Sequence, residues 1–281
     1  MGNFTASQYD LSIRREVGRL LRHNQTPWKE GAVYFIKFLS NANAEAVIFG
    51  GAIRSLLYSR LEDDDFGRPR DIDIVVADND FAKVFDLIKS SRYATQRLNR
   101  FGGLDVSCGV WHFDIWPLGQ TYLIKNNKIK YPSPTFSDLP YTTFLNVESI
   151  AVDLFVKKGK RRNVYSGDGV FYRAFEEHEL DIVNEANPFP ELCVIRSLKM
   201  AMSLGWKISP KLAAFLNNNI NLMSCDEFMS IQSRHYGAVF WDESMFAKIK
   251  NDLQELKNLQ SSGCIKSFEA WDRGSDQWKL I

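Results

Sequence analysis

Gly50-Gly51-Ala52-Ile53-Arg54 and Asp71-Ile72-Asp73-Ile74-Val75-Val76 stand near each other in the chain and belong to two different kinds of structure. Ala46 to Phe49 is a short apolar strand that runs into the glycine pair. From Ala52 to Ser59 the pattern is helical. The second segment, Asp71 to Ala77, reads as a strand. Side chains alternate across a strand, so Asp71 and Asp73 share one face while Ile72 and Ile74 share the other. Two neighbouring carboxylates repel, and an apolar strand accepts both only with a compensating cation. A hard divalent ion with oxygen ligands supplies that compensation. Glycines before a helix let backbone approach phosphate closely, and the helix N-terminus adds N–H donors and a favourable dipole. The two segments together suit a nucleoside triphosphate held beside divalent metal.

A third acid extends this reading. In Trp111-His112-Phe113-Asp114-Ile115-Trp116, within a strand expected over Val110 to Leu118, alternation sets His112, Asp114 and Trp116 on one face. If this strand neighbours the Asp-Ile-Asp strand, three carboxylates converge. Two-metal phosphoryl-type transfer uses such a set: Asp71 and Asp73 would bridge both ions and Asp114 would hold the one beside the nucleophile. Gly50 and Gly51 would meet the phosphates. Arg54, one turn into the helix, would pair with a phosphate or brace the loop. His112 reads as a satisfied structural histidine, and no side-chain nucleophile is needed.

Composition sets the limits. At 281 residues, with 45% hydrophobic and 25% charged residues, the chain has the balance of a soluble globular protein with one large or two modest domains. A net charge of +1 excludes a polybasic nucleic-acid coat, so any polyanion site is a local patch. The four cysteines, Cys108, Cys193, Cys225 and Cys264, form no CxxC pair, which suggests neither zinc nor a disulfide framework. No run approaches ~18 apolar residues and no signal core is present, so a cytoplasmic protein without a membrane span is expected.

Elsewhere, helices are expected over Ser12–His23, Trp28–Leu39 and Asp80–Ser90, and strands over Leu104–Ser107 and Ser149–Val156. A hairpin is expected over Thr121–Tyr131, turning at Asn126-Asn127. The four acids Glu62 to Asp65 read as a solvated loop. The basic run Lys157 to Arg162, with Lys125, Lys128 and Lys130, reads as a guide for an RNA backbone or the triphosphate, or as solvated hairpin tips. Beyond Phe171 helical periodicity takes over, through Glu191–Leu204, Pro210–Asn217 and Ser244–Leu259, with the change near Asn187-Pro188-Phe189-Pro190.

Gly50-Gly51-x-x-Arg54 with Asp71-x-Asp73 resembles the head of the DNA polymerase β-like nucleotidyltransferases, in particular the tRNA nucleotidyltransferase (CCA-adding) and bacterial poly(A) polymerase branch. Cys193-Val194-Ile195-Arg196-Ser197-Leu198-Lys199, running on to Leu204-Gly205-Trp206, resembles that branch's neck signature. The resemblance spans roughly residues 45 to 210. Three departures stand out: Ser55 follows Arg54 where the family has an acid, Thr142-Thr143-Phe144 replaces Arg-Arg-Asp, and Cys193 replaces the first neck arginine. The family's Glu-Asp-x-x-Arg base-pairing motif is not evident.

The resemblance implies an α+β (mixed α/β) architecture: a head with a small twisted sheet over 1–185, then a helical neck-like domain over 186–281, with a nucleotide cleft between them. It implies Mg²⁺, with two ions, and transfer of a nucleoside monophosphate from an NTP such as ATP to a hydroxyl, releasing pyrophosphate. The expected acceptor is an RNA (tRNA-like) 3′ end. Alternatives are a toxin-like or regulatory transferase acting on a protein or a small molecule such as an antibiotic, and a nucleotide-binding module without catalysis. Arg196 and Lys199 join Gly50, Gly51 and Arg54 as expected nucleotide-binding residues.

Overall fold

The computed structural model describes residues 6–20, 32–61, 69, 71–91, 95–99, 102–129, 133–156, 159–261, 272–274 and 277–279. The chain divides into two compact units, one comprising Met1–Thr143 with Val147–Tyr172 and the other Phe144–Asn146 with Arg173–Ile281.

In the first unit, helices α1 (Ala6–Leu20) and α2 (Ala32–Leu39) precede strand β1 (Ala46–Phe49), helix α3 (Gly51–Leu61), strand β2 (Ile72–Val76) and helix α4 (Phe81–Lys89). Strands β3 (Thr95–Leu98), β4 (Leu104–Cys108) and β5 (Trp111–Pro117) follow, then the short helix α5 (Tyr122–Lys125), a 3-10 helix over Phe136–Thr142, and strands β6 (Ala151–Asp153) and β7 (Val164–Tyr165). The strands form one sheet in the order β3-β4-β5-β2-β1-β6-β7. Only β2 and β5 pair in parallel; the other neighbours are antiparallel.

Alternation gives the sheet two unlike faces. Ile48, Ile72, Ile74, Phe113 and Ile115 are essentially fully buried, each contributing about 1.5–3 kcal/mol of transfer free energy. Phe35 of α2 meets Phe113 at 4.5 Å between ring centroids, and α3 packs on β1 and β2. On the opposite face, Val47, Val75 and Ala151 join Leu118 and Leu139 in a smaller cluster, with Phe49, Trp116, Ile124, Phe136 and Tyr165 packed around it. That cluster covers part of the second face; Asp73 and Asp114 lie on the remainder.

The sequence expectations for β1, α3, β2, α4, β4 and β5 agree with the structure to within a few residues at each end. The hairpin expected over Thr121–Tyr131 does not form in the described residues. Tyr122–Lys125 is helical, and Leu123 is buried. The chain then turns at Asn127, in the left-handed region at φ 51°. Four residues carry too little periodicity to separate helix from strand, and the packing of Leu123 and Ile124 decides for helix. The strand expected over Ser149–Val156 is confined to Ala151–Asp153, because Ser149 is drawn out of the ladder to donate to the Pro140 carbonyl at 2.7 Å. Residues 62–65, Trp28, Lys130, Lys157, Lys158 and Cys264, named above, lie outside the described residues.

In the second unit the mostly helical reading holds, with additions. Helix α6 (Val170–Glu177) spans the junction between the units and leads to strand β8 (Glu179–Leu180). Helix α7 (Pro190–Leu204), strand β9 (Lys207–Ile208) and helices α8 (Pro210–Ile220), α9 (Cys225–Tyr236) and α10 (Glu243–Ser261) follow, then the antiparallel strand pair β10 (Asp272–Gly274) and β11 (Gln277–Lys279). β8 and β9 pair in parallel. Pro190 and Pro210 both sit in the first turn of their helices, where a missing N–H costs nothing. Ser209 and Ser224 cap α8 and α9 by accepting from Leu212 N and Glu227 N.

Candidate active site

Sheet register, rather than proximity in sequence, assembles the acids. Asp73 of β2 is the direct partner of Asp114 of β5, so the two carboxylates leave adjacent strands on the same face. Asp71 lies one residue ahead of β2 on the same strand path. All three are half-buried. On the other side of β2, Asp73 pairs with Phe49, the last residue of β1, and the chain then enters Gly50-Gly51 and α3. The glycine turn therefore follows the end of β1, beside the register pair Asp73 and Asp114, with Asp71 one residue ahead of β2.

The row continues beyond Asp114. Asp105 of β4 is the direct antiparallel partner of Asp114, and Arg97 of β3 is the direct partner of Asp105, at 3.5 Å. Arg97, Asp105, Asp114, Asp73 and Phe49 thus cross five strands in one line. Like charges directly opposite destabilise a sheet. Arg97, at 79% exposure, offsets little of that. Asp105 is not a candidate in the sequence, because only the register of β4 with β5 sets it opposite Asp114.

Carboxylate oxygens are the donor set a hard divalent cation takes. Among the described residues, no group of three or more His, Cys, Asp or Glu side chains is arranged to hold a metal ion. The chemistry accommodates this, because Mg²⁺ is commonly held by one or two carboxylates with waters and substrate phosphates completing the shell. Asp73 and Asp114 fit that pattern as a neighbouring pair.

The glycine turn is tightly specified. Gly50 adopts φ +67°, donates to the Ile150 carbonyl at 2.9 Å, and accepts from Ile53 N and Arg54 N as the helix starts. Ile53 N and Arg54 N are thereby taken, which leaves the N–H groups of Gly51 and Ala52 in the first turn of α3 for an anion. Arg54 braces this turn: its Nη1 donates to Oε1 of Glu148 at 2.7 Å, with side-chain exposures of 11% and 14%. Glu148 was not among the sequence candidates.

The flanks also have defined partners. His112 shares a hydrogen bond with Ser107 Oγ at 3.0 Å through Nδ1, consistent with a structural histidine. Trp116 donates from Nε1 to Thr121 Oγ1 and meets Phe49 edge-on at 6.4 Å, walling the acids with aromatic surface. At the far strand, Tyr165 donates to Asp153 Oδ1; burial, then the Asp153 charge, pushes its phenol up to about 12, so it stays neutral at physiological pH. Thr142 and Thr143, standing where the resemblance has arginines, turn their hydroxyls back to the carbonyls of Leu139 and Pro140. In the second unit, Arg196 and Lys199 lie half-buried on α7, and the Lys199 ammonium sits 4.6 Å from the Phe240 ring centroid and 5.2 Å from that of Tyr236.

No protein-family model matches the chain, and no curated protein matches its sequence. Solved structures do match. A CCA-adding enzyme in complex with CTP matches with a TM-score of 0.59 at 14% identity, covering 92% of this chain and 57% of that one. A Thermotoga maritima CCA-adding enzyme complexed with tRNA gives 0.56 at 15% identity, covering 86% and 55%. A tRNA nucleotidyltransferase complexed with a primer tRNA and an incoming ATP analogue gives 0.52 at 15%, covering 83% and 63%. This chain has the nucleotidyltransferase fold. It spans a little over half the length of the structures it matches. At these identities the likeness is one of fold, and it agrees with the α+β head and helical region read from the sequence. Among the described residues, no helix of this nucleotidyltransferase fold is long and apolar enough to cross a membrane.

Proposed function

We propose that the chain transfers a nucleoside monophosphate from an NTP to a hydroxyl acceptor, an RNA (tRNA-like) 3′ end, and releases pyrophosphate. The register pairing of Asp73 with Asp114 beside the glycine-opened helix α3 carries this reading. Two Mg²⁺ ions, when bound, would neutralise the triphosphate and acidify the acceptor hydroxyl. Asp71, Asp73 and Asp114 are the residues that would hold these ions. The N–H groups of Gly51 and Ala52, at the start of α3, receive phosphate oxygens. The acceptor oxygen forms a bond to the α-phosphorus in line with the departing bond to the β-phosphate oxygen, and the hydroxyl proton passes to solvent. Fixed carboxylates make the attack a matter of position, so no covalent enzyme intermediate is needed.

The net charge of +1 favours a second reading, in which the same transfer goes to a protein or a small molecule. Incubation with each labelled NTP, Mg²⁺, total RNA and cell lysate separates the two. Label in RNA is the expected result; label in protein or small solutes transfers the proposal to the second reading. Asp73→Asn and Asp114→Asn should each lower transfer by about a hundredfold or more. A protein that moves no label, or an Asp73→Asn variant as active as wild type, removes the catalytic proposal.

A further inference from the structure

We infer that Glu148 is a positioning residue for the triphosphate, acting through Arg54; the inference rests on the nucleotidyltransferase reading above. Three contacts clamp the turn at Gly50-Gly51. Gly50 N donates to the Ile150 carbonyl at 2.9 Å, and Ser55 Oγ donates to the Gly51 carbonyl at 3.1 Å. The Arg54 guanidinium folds back over the turn, with Nη2 3.4 Å from where a Cβ on Gly51 would stand. Glu148 fixes that guanidinium through the 2.7 Å Nη1–Oε1 contact. The support under Glu148 is itself firm: Ile150 N donates to the Glu148 carbonyl at 2.8 Å, and the neighbouring Ser149, 1% exposed, is tied to Pro140.

This arrangement assigns Arg54 a different task from a phosphate ligand. Both partners are almost covered, and a charge-assisted pair so placed is costly to break from either side. A guanidinium held by Glu148 braces the turn, and the triphosphate is left to the backbone N–H groups, whose aim depends on that brace. Glu148 also matters by its charge. While Arg54 neutralises it, the carboxylate beside the phosphate site is harmless; without Arg54 it would repel the triphosphate.

Two substitutions therefore weaken ATP binding in a definite order. Equilibrium binding of ATP with Mg²⁺ and no acceptor should weaken about tenfold in Glu148→Gln, through the loosened turn. In Arg54→Met it should weaken by about a hundredfold, because the Glu148 charge is then exposed to the phosphates. The double variant Arg54→Met/Glu148→Gln should bind better than Arg54→Met alone. In steady state, Glu148→Gln should raise the KM for ATP by more than it lowers kcat, a split that general loss of folded protein does not produce. Should Glu148→Gln fail to fold, Glu148→Asp, which keeps the charge but not the reach, should show the same KM effect. Unchanged or tighter ATP binding by a folded Glu148→Gln overturns the inference, since tighter binding would mean that the released Arg54 meets the phosphates itself. The NTP bound by the wild type is used if it is not ATP, and wild-type protein that binds none of the four NTPs overturns instead the nucleotidyltransferase reading.

Discussion

Gly50 and Gly51 are adjacent and look interchangeable, yet the structure asks different things of them. Gly50 is held at φ +67°, where a Cβ would meet only ordinary contacts near Glu148, so the constraint there is backbone conformation. A left-handed non-glycine residue costs about 1–2 kcal/mol. Gly51 has no such φ, and a Cβ there would stand 3.4 Å from Arg54 Nη2 at the end of a flexible side chain, so little opposes a methyl group. Gly50→Ala should therefore lower the unfolding free energy in urea by about 1–2 kcal/mol, and Gly51→Ala by less than about 1 kcal/mol. Equal losses would mean that the turn is set by space rather than by φ. The same distinction explains why the pair was legible as a unit and not residue by residue: a sequence shows two glycines, whereas only the backbone shows which one is left-handed.

Individual elements show what a sequence pattern carries and where it stops. β1, β2 and β5 were readable because alternation and β-branched residues agree, and α3 because glycine marks its start. Asp114 was found by alternation alone. Asp105 and Glu148 were not, because their importance lies in pairing: Asp105 depends on the register of β4 with β5, and Glu148 on a partner 94 residues away. Helix α9 was missed for a related reason. Its buried face includes Gln232, fully covered, whose amide donates to the carbonyls of Phe228 and Trp241 and accepts from Phe240 N and Trp241 N. A polar residue on the core stripe breaks the apolar period that announces a helix, and only the loop it satisfies explains it. The short strand β8 carries a comparable strain in its charges. Burial, then the neighbouring charges of Glu177 and Asp181, raise the pKa of Glu179 above the ordinary carboxylate value. An acid with a raised folded pKa gives stability that is present below its unfolded pKa and lost as pH rises through the folded value. At pH 7 the charged Glu179 therefore costs stability. Glu179→Gln should raise the Tm at pH 7, by no more than about 2 °C because solvent screens the charge of this part-exposed group. The difference should close as the pH falls below about 4. A Tm difference that persists unchanged at low pH would assign the effect to packing instead.

Charge across the whole molecule limits how an acceptor is held. Lys and Arg total 35 against 34 Asp and Glu, leaving +1. An acceptor RNA gripped along its backbone would need a broad basic surface, and its affinity would collapse steeply with salt, because each neutralised phosphate releases a counterion. A balanced molecule has only local patches to offer. Single-stranded RNA binding should accordingly show a log K against log salt slope of about −2 to −3, matching some three or four phosphate contacts at about −0.7 per contact. Fluorescence anisotropy of a labelled single-stranded RNA between about 50 and 200 mM salt measures this directly. A slope beyond about −5 would require an extended basic track that the overall charge does not suggest. A slope near zero would instead point the transfer toward an uncharged acceptor, because a chain that neutralises no phosphate has no electrostatic means of holding an RNA end over Asp114.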